Sequence, residues 1–313
     1  MWLLNAVVKS LFWRGYGLEV CRSKFAHELG MCAIFRDEAR DLDEWLTFHH
    51  AVGVGHFYLY NNSSDDEFRQ VLEPWIKKGM VTLVDWSRGQ RAAYNDCMRR
   101  ARLTCRWIAC VDIDEFLFSP GKQDLKPLLS SYKDAAAIYV YSRIFGSNGH
   151  KERPSGGVIA NYTRCASDDA LRKFARLVWT SGHPIGSRTT WQPISGKSIV
   201  NPRLVELMGV HIPVKLLAGK IVDENNMPLV NGGPDYRDVP RRLLRINHYW
   251  SKSIEELRDK VHKKRTWDKT NAQSVPCDYT FTAWLEREAL SNDRADTTLL
   301  ALWTDIASGR SPN

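Results

Sequence analysis

Apolar and polar positions alternate in blocks over the first 120 residues. Met31 to Phe35 is a short apolar run, as a strand buried on both faces shows, and the polar turn Arg36-Asp37-Glu38 follows it. Leu42, Trp45, Leu46, His49 and Val52 then recur mostly at three- and four-residue spacing, which predicts a helix stopped by Gly53. His56 to Tyr60 reads as a second strand. Asn61-Asn62-Ser63-Ser64-Asp65-Asp66 reads as its exit and as the cap of a helix with Phe68, Val71, Leu72, Trp75 and Ile76 on its inner face. Val81 to Val84 is a third strand ending at Asp85, Gln90 to Thr104 a basic amphipathic helix, and Trp107 to Val111 a fourth strand.

Strands alternating with helices at this spacing predict an α/β fold, an open and mostly parallel sheet flanked by helices. Right-handed crossovers would bring every strand exit to one rim: Arg36 and Glu38, Asn61 and Asn62, Asp85, then Asp112 and Asp114. Ligands of open α/β sheets bind beyond the carboxyl ends of the strands. Neither Gly-x-Gly-x-x-Gly nor a Gly-x-x-x-x-Gly-Lys loop occurs, so a nucleotide here would rely on side chains and metal instead of a glycine cradle.

The fourth strand ends in Asp112-Ile113-Asp114-Glu115. Strand alternation would project Asp112 and Asp114 to one side and Glu115 to the other, unless the strand has already ended there. Neighbouring carboxylates repel, burial worsens the repulsion, and a hard divalent cation such as Mg2+ or Mn2+ relieves it. A solvated acidic turn is the competing reading of the same residues.

Beyond Phe118 the pattern loosens. Ala136 to Tyr141, Lys197 to Val200 and Gly209 to His211 read as strands, 151–170 and 182–196 as loops, and 253–264 and 278–307 as helical. The 12 Trp are many for 313 residues; Trp179 and Trp191, in loops, suit stacking on a sugar. His49 and His50 lie on a helix with an apolar inner face and read as structural. Lys260 to Arg265 reads as a solvated basic face.

A net charge of +8 favours anionic partners. The basic residues are dispersed, without the aromatic interleaving of single-strand binders, which argues against a nucleic-acid partner. Seven scattered Cys with no zinc spacing read as reduced thiols of a cytoplasmic protein. Met1 to Val20 is apolar but lacks a run of the ~20 residues that a span needs. It suits either an interfacial helix on an anionic membrane surface or a helix packed on the body.

Several segments together resemble glycosyltransferases of the family-2-like and family-92-like group with a GT-A fold. They are Cys32 to Ala39 with Glu44-Trp45, Phe57 to Asp65, Gln90 to Cys97, Asp112 to Phe116, Phe145 to His150 and Asn247 to Ser253. The resemblance covers roughly residues 30 to 265 and implies hexose transfer from a nucleotide sugar, a UDP-sugar first, to a glycan or glycolipid acceptor. It implies inversion, Mn2+ or Mg2+, and a role in surface polysaccharide synthesis. A non-catalytic carbohydrate-binding protein or inactive transferase is the alternative.

Residue by residue, the resemblance puts Asp112 and Asp114 on the metal, with His248 completing the shell and His211 as its substitute. It puts Arg36, Glu38, Asn61, Asn62, Asp85, Gln90, Asn95 and Asp112 around the nucleotide. Lys197, Lys252 or Arg245 would add positive charge at the diphosphate. His150, Trp179 and Trp191 would face the acceptor. The base is not assigned among Asp168, Asp169, Asp223 and Asp235. The implied division is an N-terminal segment 1–28, a nucleotide-sugar-binding half 29–120, an acceptor half 121–265 and C-terminal helices 266–313.

Overall fold

The computed structural model describes residues 25–121, 124–170, 196–229, 239–260 and 281–309. The N-terminal helix expected before residue 25, together with Trp179, Trp191 and Asp235, lies outside these residues. The first half follows the expected alternation: β1 (His27–Phe35), α1 (Ala39–Ala51), β2 (His56–Asn61), α2 (Phe68–Lys77), β3 (Val81–Asp85), α3 (Gln90–Ala101) and β4 (Cys105–Cys110). β5 (Glu115–Phe118), α4 (Lys126–Leu129), β6 (Ala135–Ile144), α5 (Val158–Asn161) and β7 (Arg164–Cys165) come next. Then come β8 (Gly196–Val200), β9 (Val205–Met208), β10 (Pro213–Leu216), β11 (Lys220–Val222), β12 (Arg245–His248) and a helix α6 over 254–260. α7 (Phe281–Leu290), β13 (Arg294–Ala295) and α8 (Thr298–Ala307) complete the described chain.

One sheet runs β3-β2-β1-β4-β8-β6-β12-β5, with β11 paired to β6. β1 to β4 are mutually parallel, and their exits form one rim as expected. β8 enters antiparallel between β4 and β6, and β12 is parallel to β6 but antiparallel to β5. Gly196 makes the β8 insertion possible: a Cβ there would lie 2.3 Å from the Val140 carbonyl and 2.8 Å from the Tyr139 ring.

The core lies on both sheet faces. α1 and α2 cover Phe35, Phe57, Leu59, Phe116 and Phe118 on one side, and α8 joins them with Leu299 and Leu302. α3 covers Cys32, Tyr60, Ile108 and Cys110 on the other. His49 is the structural histidine its helix face predicted: fully buried, it accepts from Leu117 N at 3.0 Å through Nε2 and contacts Trp45 O at 2.8 Å through Nδ1. Burial lowers its pKa to about 3, so it is neutral. Gly53, at φ 108°, stops α1 as expected.

Several expectations are corrected. α3 ends at Ala101, three residues before Thr104, and Thr104 donates its N–H to Ala101 O at 3.1 Å in a turn. Gly209 to His211 is no strand: β9 and β10 pair antiparallel and residues 209–212 make the turn between them. The loop expected over 151–170 holds α5 and β7, and the helix expected over 278–307 is broken by β13. The polar cluster 61–66 does not cap α2, whose cap residue Glu67 makes no side-chain cap bond. Asp66 Oδ2 instead accepts from Ala39 N at 2.8 Å and caps α1, while Ser64 Oγ accepts from Asp37 N at 3.0 Å. Thus the exits of β1 and β2 are tied together at the rim.

The five described cysteines are free and buried. Among the described residues no helix is long and apolar enough to cross a membrane.

Candidate functional site

The acidic motif occupies the link between β4 and β5, not the strand itself. β4 ends at Cys110, and Glu115 N donates to Asp112 O at 3.0 Å in a tight turn. Strand alternation therefore does not govern Glu115, and it shares the site with both aspartates. The turn is fixed from outside as well. Trp45 Nε1 donates to Glu115 O at 2.9 Å and to Asp112 O at 3.2 Å, and Tyr249 N to Asp114 O at 2.8 Å.

Each carboxylate of the turn has an assigned cation. Lys197, 1% exposed on β8, places Nζ 2.8 Å from Asp112 Oδ2 and 3.8 Å from Glu115 Oε2. Asp112 Oδ1 accepts from Gln90 Nε2 and, at 3.1 Å, from Tyr94 Oη. Glu115 Oε2 accepts from Asp112 N at 2.9 Å. His248 stands opposite Glu115 in the β12–β5 register, with Nδ1 3.6 Å from Glu115 Oε1 and Nε2 3.5 Å from Asp114 Oδ2. Lys260, on α6, reaches Asp114 Oδ2 at 2.5 Å and Trp250 O at 2.9 Å.

A second ionic layer lies beside this turn. Lys252 and Arg153 both bond the buried Asp41, and Arg153 also reaches Glu256 at 2.6 Å. Lys252 has left-handed backbone, φ 50°, unusual for a buried non-glycine residue and held by the surrounding contacts.

Opposing fields set the protonation states. Burial alone would raise Asp112 and Asp114. Lys197 outweighs it at Asp112, and Lys260 with His248 at Asp114, so both fall below the ordinary aspartate range. Burial raises Glu115, Lys197 opposing it and Asp112 adding to it. Burial also lifts Glu38, at the head of α1, to about 8, against the pull of Lys252 and with the push of Asp114 and Asp41. A carboxyl with a raised folded-state pKa stabilises least once it must ionise. Stability contributed by protonated Glu38 is therefore present below about pH 4.5 and is lost as pH rises toward 8. Glu38→Gln is expected to gain melting temperature relative to wild type progressively from pH 4.5 to 8, in buffer with chelator. A difference that stays constant across that range would contradict the assignment.

The other predicted residues divide. Asn61 donates to Asp85 Oδ1 at 2.8 Å and accepts from Ser64 N at 2.9 Å; Asn62 donates to Trp86 O at 2.9 Å. A shallow cavity of about 320 Å³ is lined by Asn61, Ser63, Asp85, Trp86 and Ser87; Asn62 is not part of its lining. Asp85 also takes a two-pronged bond from Arg69, at 3.0 Å to each oxygen. Arg36 is half exposed, its Nε 3.8 Å from Asp37. Asn95 does not face the rim: it exchanges bonds of 2.8 Å with the backbone of Met208 and pins β9 to α3.

His211 Nδ1 contacts Gly196 O at 3.0 Å, and its ring lies near enough to feel the charges of Lys197 and Asp112, with no described bond to the acidic turn. His150 packs edge-on against Tyr162, 5.7 Å between centroids. Asp168 is paired to Arg241 at 2.8 Å, Asp169 has its own partner, and Asp223 Oδ1 accepts from Asn225 N and Met227 N at 2.9 and 3.0 Å. Arg245 turns away from the rim toward Asp296.

Sequence reasoning missed Tyr94, Trp86 and Lys260. Tyr94 follows Gln90 by one helical turn, a spacing that could have found it. Lys260 stands in the basic run read as a solvated face.

The glycosyltransferase family 92 model matches residues 27–275. A family 92 protein of Oryza sativa subsp. japonica is 35% identical over 242 residues, covering 75% of this chain and 35% of that protein. One from Ricinus communis is 29% identical over 262 residues, covering 79% and 38%. A galactan beta-1,4-galactosyltransferase of Arabidopsis thaliana is 30% identical over 103 residues, 29% of this chain and 20% of that protein. The chain thus spans little more than a third of the length of the first two relatives. With a match across most of its length, the chain belongs to glycosyltransferase family 92.

Proposed function

We propose that this chain is the catalytic part of a metal-dependent transferase that moves a hexose from a UDP-sugar to a glycan or glycolipid acceptor with inversion. The observation that carries it is the convergence of Asp112, Asp114, Glu115 and His248 on one rim turn, backed by buried Lys197.

Two carboxylates and an imidazole are a donor set suited to Mn2+ or Mg2+. His248 Nε2 already faces Asp114, and Nδ1 is a buried nitrogen without a hydrogen-bond partner, turned toward Glu115. Metal-ligating histidines commonly give their second nitrogen to a carboxylate, so Glu115 would fix the tautomer that leaves Nε2 for the ion. Among the described residues no three metal-binding side chains stand at ligating spacing, because Lys260 and Lys197 hold the carboxylates. The set therefore fits the ion once Lys260 withdraws from Asp114. Asp112, Asp114 and His248 would hold it. Such an ion supplies Lewis acidity toward the departing diphosphate.

The chain's own residues do the rest. Lys197 keeps Asp112 ionised and oriented, while Gln90 and Tyr94 fix its second oxygen. Lys252 adds fixed positive charge beside Asp114, where negative charge grows as the diphosphate leaves. The cavity by Asn61, Asp85 and Trp86 would take the nucleoside, the half-buried Trp86 offering an indole face. The galactosyl transfer named for the Arabidopsis relative makes galactose the first sugar to test.

Thermal shift with UDP-galactose, UDP-glucose, UDP-N-acetylglucosamine, GDP-mannose and CMP-sialate, each with and without Mn2+, tests the reading, since a native-state ligand raises the melting temperature. A rise with a UDP-sugar that requires Mn2+ is the expected result. A folded protein indifferent to every donor at millimolar concentration rejects it, and glycan binding that needs neither metal nor nucleotide identifies a non-catalytic lectin.

A further inference from the structure

Four guanidinium groups gather beside β6, β12 and β13, away from the acidic turn. Arg245 donates Nη1 and Nη2 to the two oxygens of Asp296, both at 3.1 Å. Arg143 Nε stands 3.6 Å and Arg294 Nη2 3.8 Å from the same Asp296 Oδ2. Arg241 Nη1 donates to Asp168 Oδ1 at 2.8 Å. Arg143, Arg241 and Arg245 are near enough to destabilise one another's charge, on top of the burial that pulls Arg241 and Arg245 below the usual guanidinium range.

Among the described residues, the ion pairs of these four cations run to two carboxylates, Asp168 and Asp296. Glu224, the buried acid before β12, is spent on the backbone: its oxygens accept from Arg242 N, Leu243 N and Leu244 N at 2.8, 2.9 and 2.7 Å. Asp223 is spent on its own turn.

The hydrogen-bond donors do not all find acceptors. Among the described residues, Arg143 Nε, Arg241 Nε and Nη2, and Arg245 Nε are buried without an acceptor. Arg241 and Arg245 are only 7% and 6% exposed, so water does not readily make good the loss. Buried polar groups are almost always paired, and buried charges more strictly still. A cluster deficient in both negative charge and acceptors is built for a ligand that supplies both.

We propose that Arg143, Arg241 and Arg245 form a binding site for an oxyanion, a carboxylate or phosphate, separate from the donor site. The guanidinium fork matches such groups with paired N–H bonds, and its weak hydration suits a buried position. Arg294 and Asp168, with side chains 49% and 37% exposed, open the cluster to solvent on one side.

The site also has a link to the chemistry. Tyr141 feels Arg241; Tyr139 stacks edge-on against Tyr141 at 4.9 Å and feels Glu115 and Lys197. On β12, Arg245 lies three residues, about 10 Å of strand, before His248. An acidic sugar of the acceptor and free phosphate share the required chemistry.

The test is the melting temperature of the whole chain in inorganic phosphate, glucuronate or galactose, at ionic strength fixed with chloride. Wild type is expected to show a saturable rise with phosphate and none with galactose, and Arg143→Met/Arg241→Met to lose it. The double variant is expected to melt higher than wild type in chloride alone, since it removes unmatched charge. A rise with glucuronate as well assigns the site to an acidic acceptor sugar; a rise with phosphate alone assigns it to the free anion. Should the double variant not fold, Arg294→Gln and the ligand series on wild type decide. No saturable rise with either anion in wild type, or an equal rise in the variants, overturns the proposal.

Discussion

Asp114→Ala is expected to lower sugar transfer about a thousandfold, on the scale seen when one preorganised electrostatic group is removed from a reacting centre. Asp114 is the one carboxylate of the turn that faces both His248 and Lys260, at 3.5 and 2.5 Å. Losing it would remove a metal donor and the carboxylate that faces His248 Nε2. Lys260 is freed rather than buried, because its side chain is 44% exposed, so the fold should survive with little change in melting temperature. The paired measurement is Mn2+ affinity by electron paramagnetic resonance and turnover by release of UDP. Activity within tenfold of wild type, or Mn2+ binding undiminished, would take Asp114 out of the metal shell.

The second large effect falls on stability. Lys197→Met leaves Asp112 and Glu115 without the ammonium that stands 2.8 and 3.8 Å from them, in a position 1% exposed. Removing one partner of a buried pair costs about 3–5 kcal/mol, because the remaining charge cannot be solvated. For a chain of this size that is a fall of about 5–8 °C in melting temperature. Glu115 is already pushed toward protonation by burial and by Asp112, so Lys197→Met/Glu115→Gln should recover part of the loss. A single variant that melts within about 2 °C of wild type would mean that Lys197 is not the anchor of the turn.

The parts of the fold fixed by local periodicity were legible. The first four strands and three helices come in the expected order, the strands from apolar runs and the helices from three- and four-residue spacing, with bounds shifted by a few residues. The rim followed from topology alone, since parallel strands with right-handed crossovers share one exit edge. The second half was less legible, for physical reasons. β8 is five residues long and pairs with β4 and β6, partners far away in the chain, which no local pattern reports. β12 shows four residues of strand between loops, and its place beside β5 comes from register with Glu115 to Phe118.

The site divides the same way. Asp112 and Asp114 follow from the acidic strand end and His248 from motif resemblance, and the structure brings Asp114 and His248 together. Glu115 falls on the same side as the aspartates because β4 ends at Cys110, and alternation stops with the strand. Asn95 looked like a rim residue but is consumed by Met208, a contact set by where β9 returns. The buried Asp41–Lys252 pair joins residues 211 positions apart, a distance over which spacing is uninformative.

The antiparallel strand that slots between β4 and β6 has a consequence for how the chain folds. Lys197 lies 85 residues beyond Asp112, and its strand arrives only after the chain has looped out and returned. Until then β4 presents an unpaired edge, and Asp112 and Glu115 lack their shared ammonium, so nascent chains halted before residue 196 should be sticky. Closing so large a loop is slow relative to forming α1 or α3. Closure of the acidic turn on Lys197 should therefore appear in refolding after helical signal has recovered, as a separate and later phase.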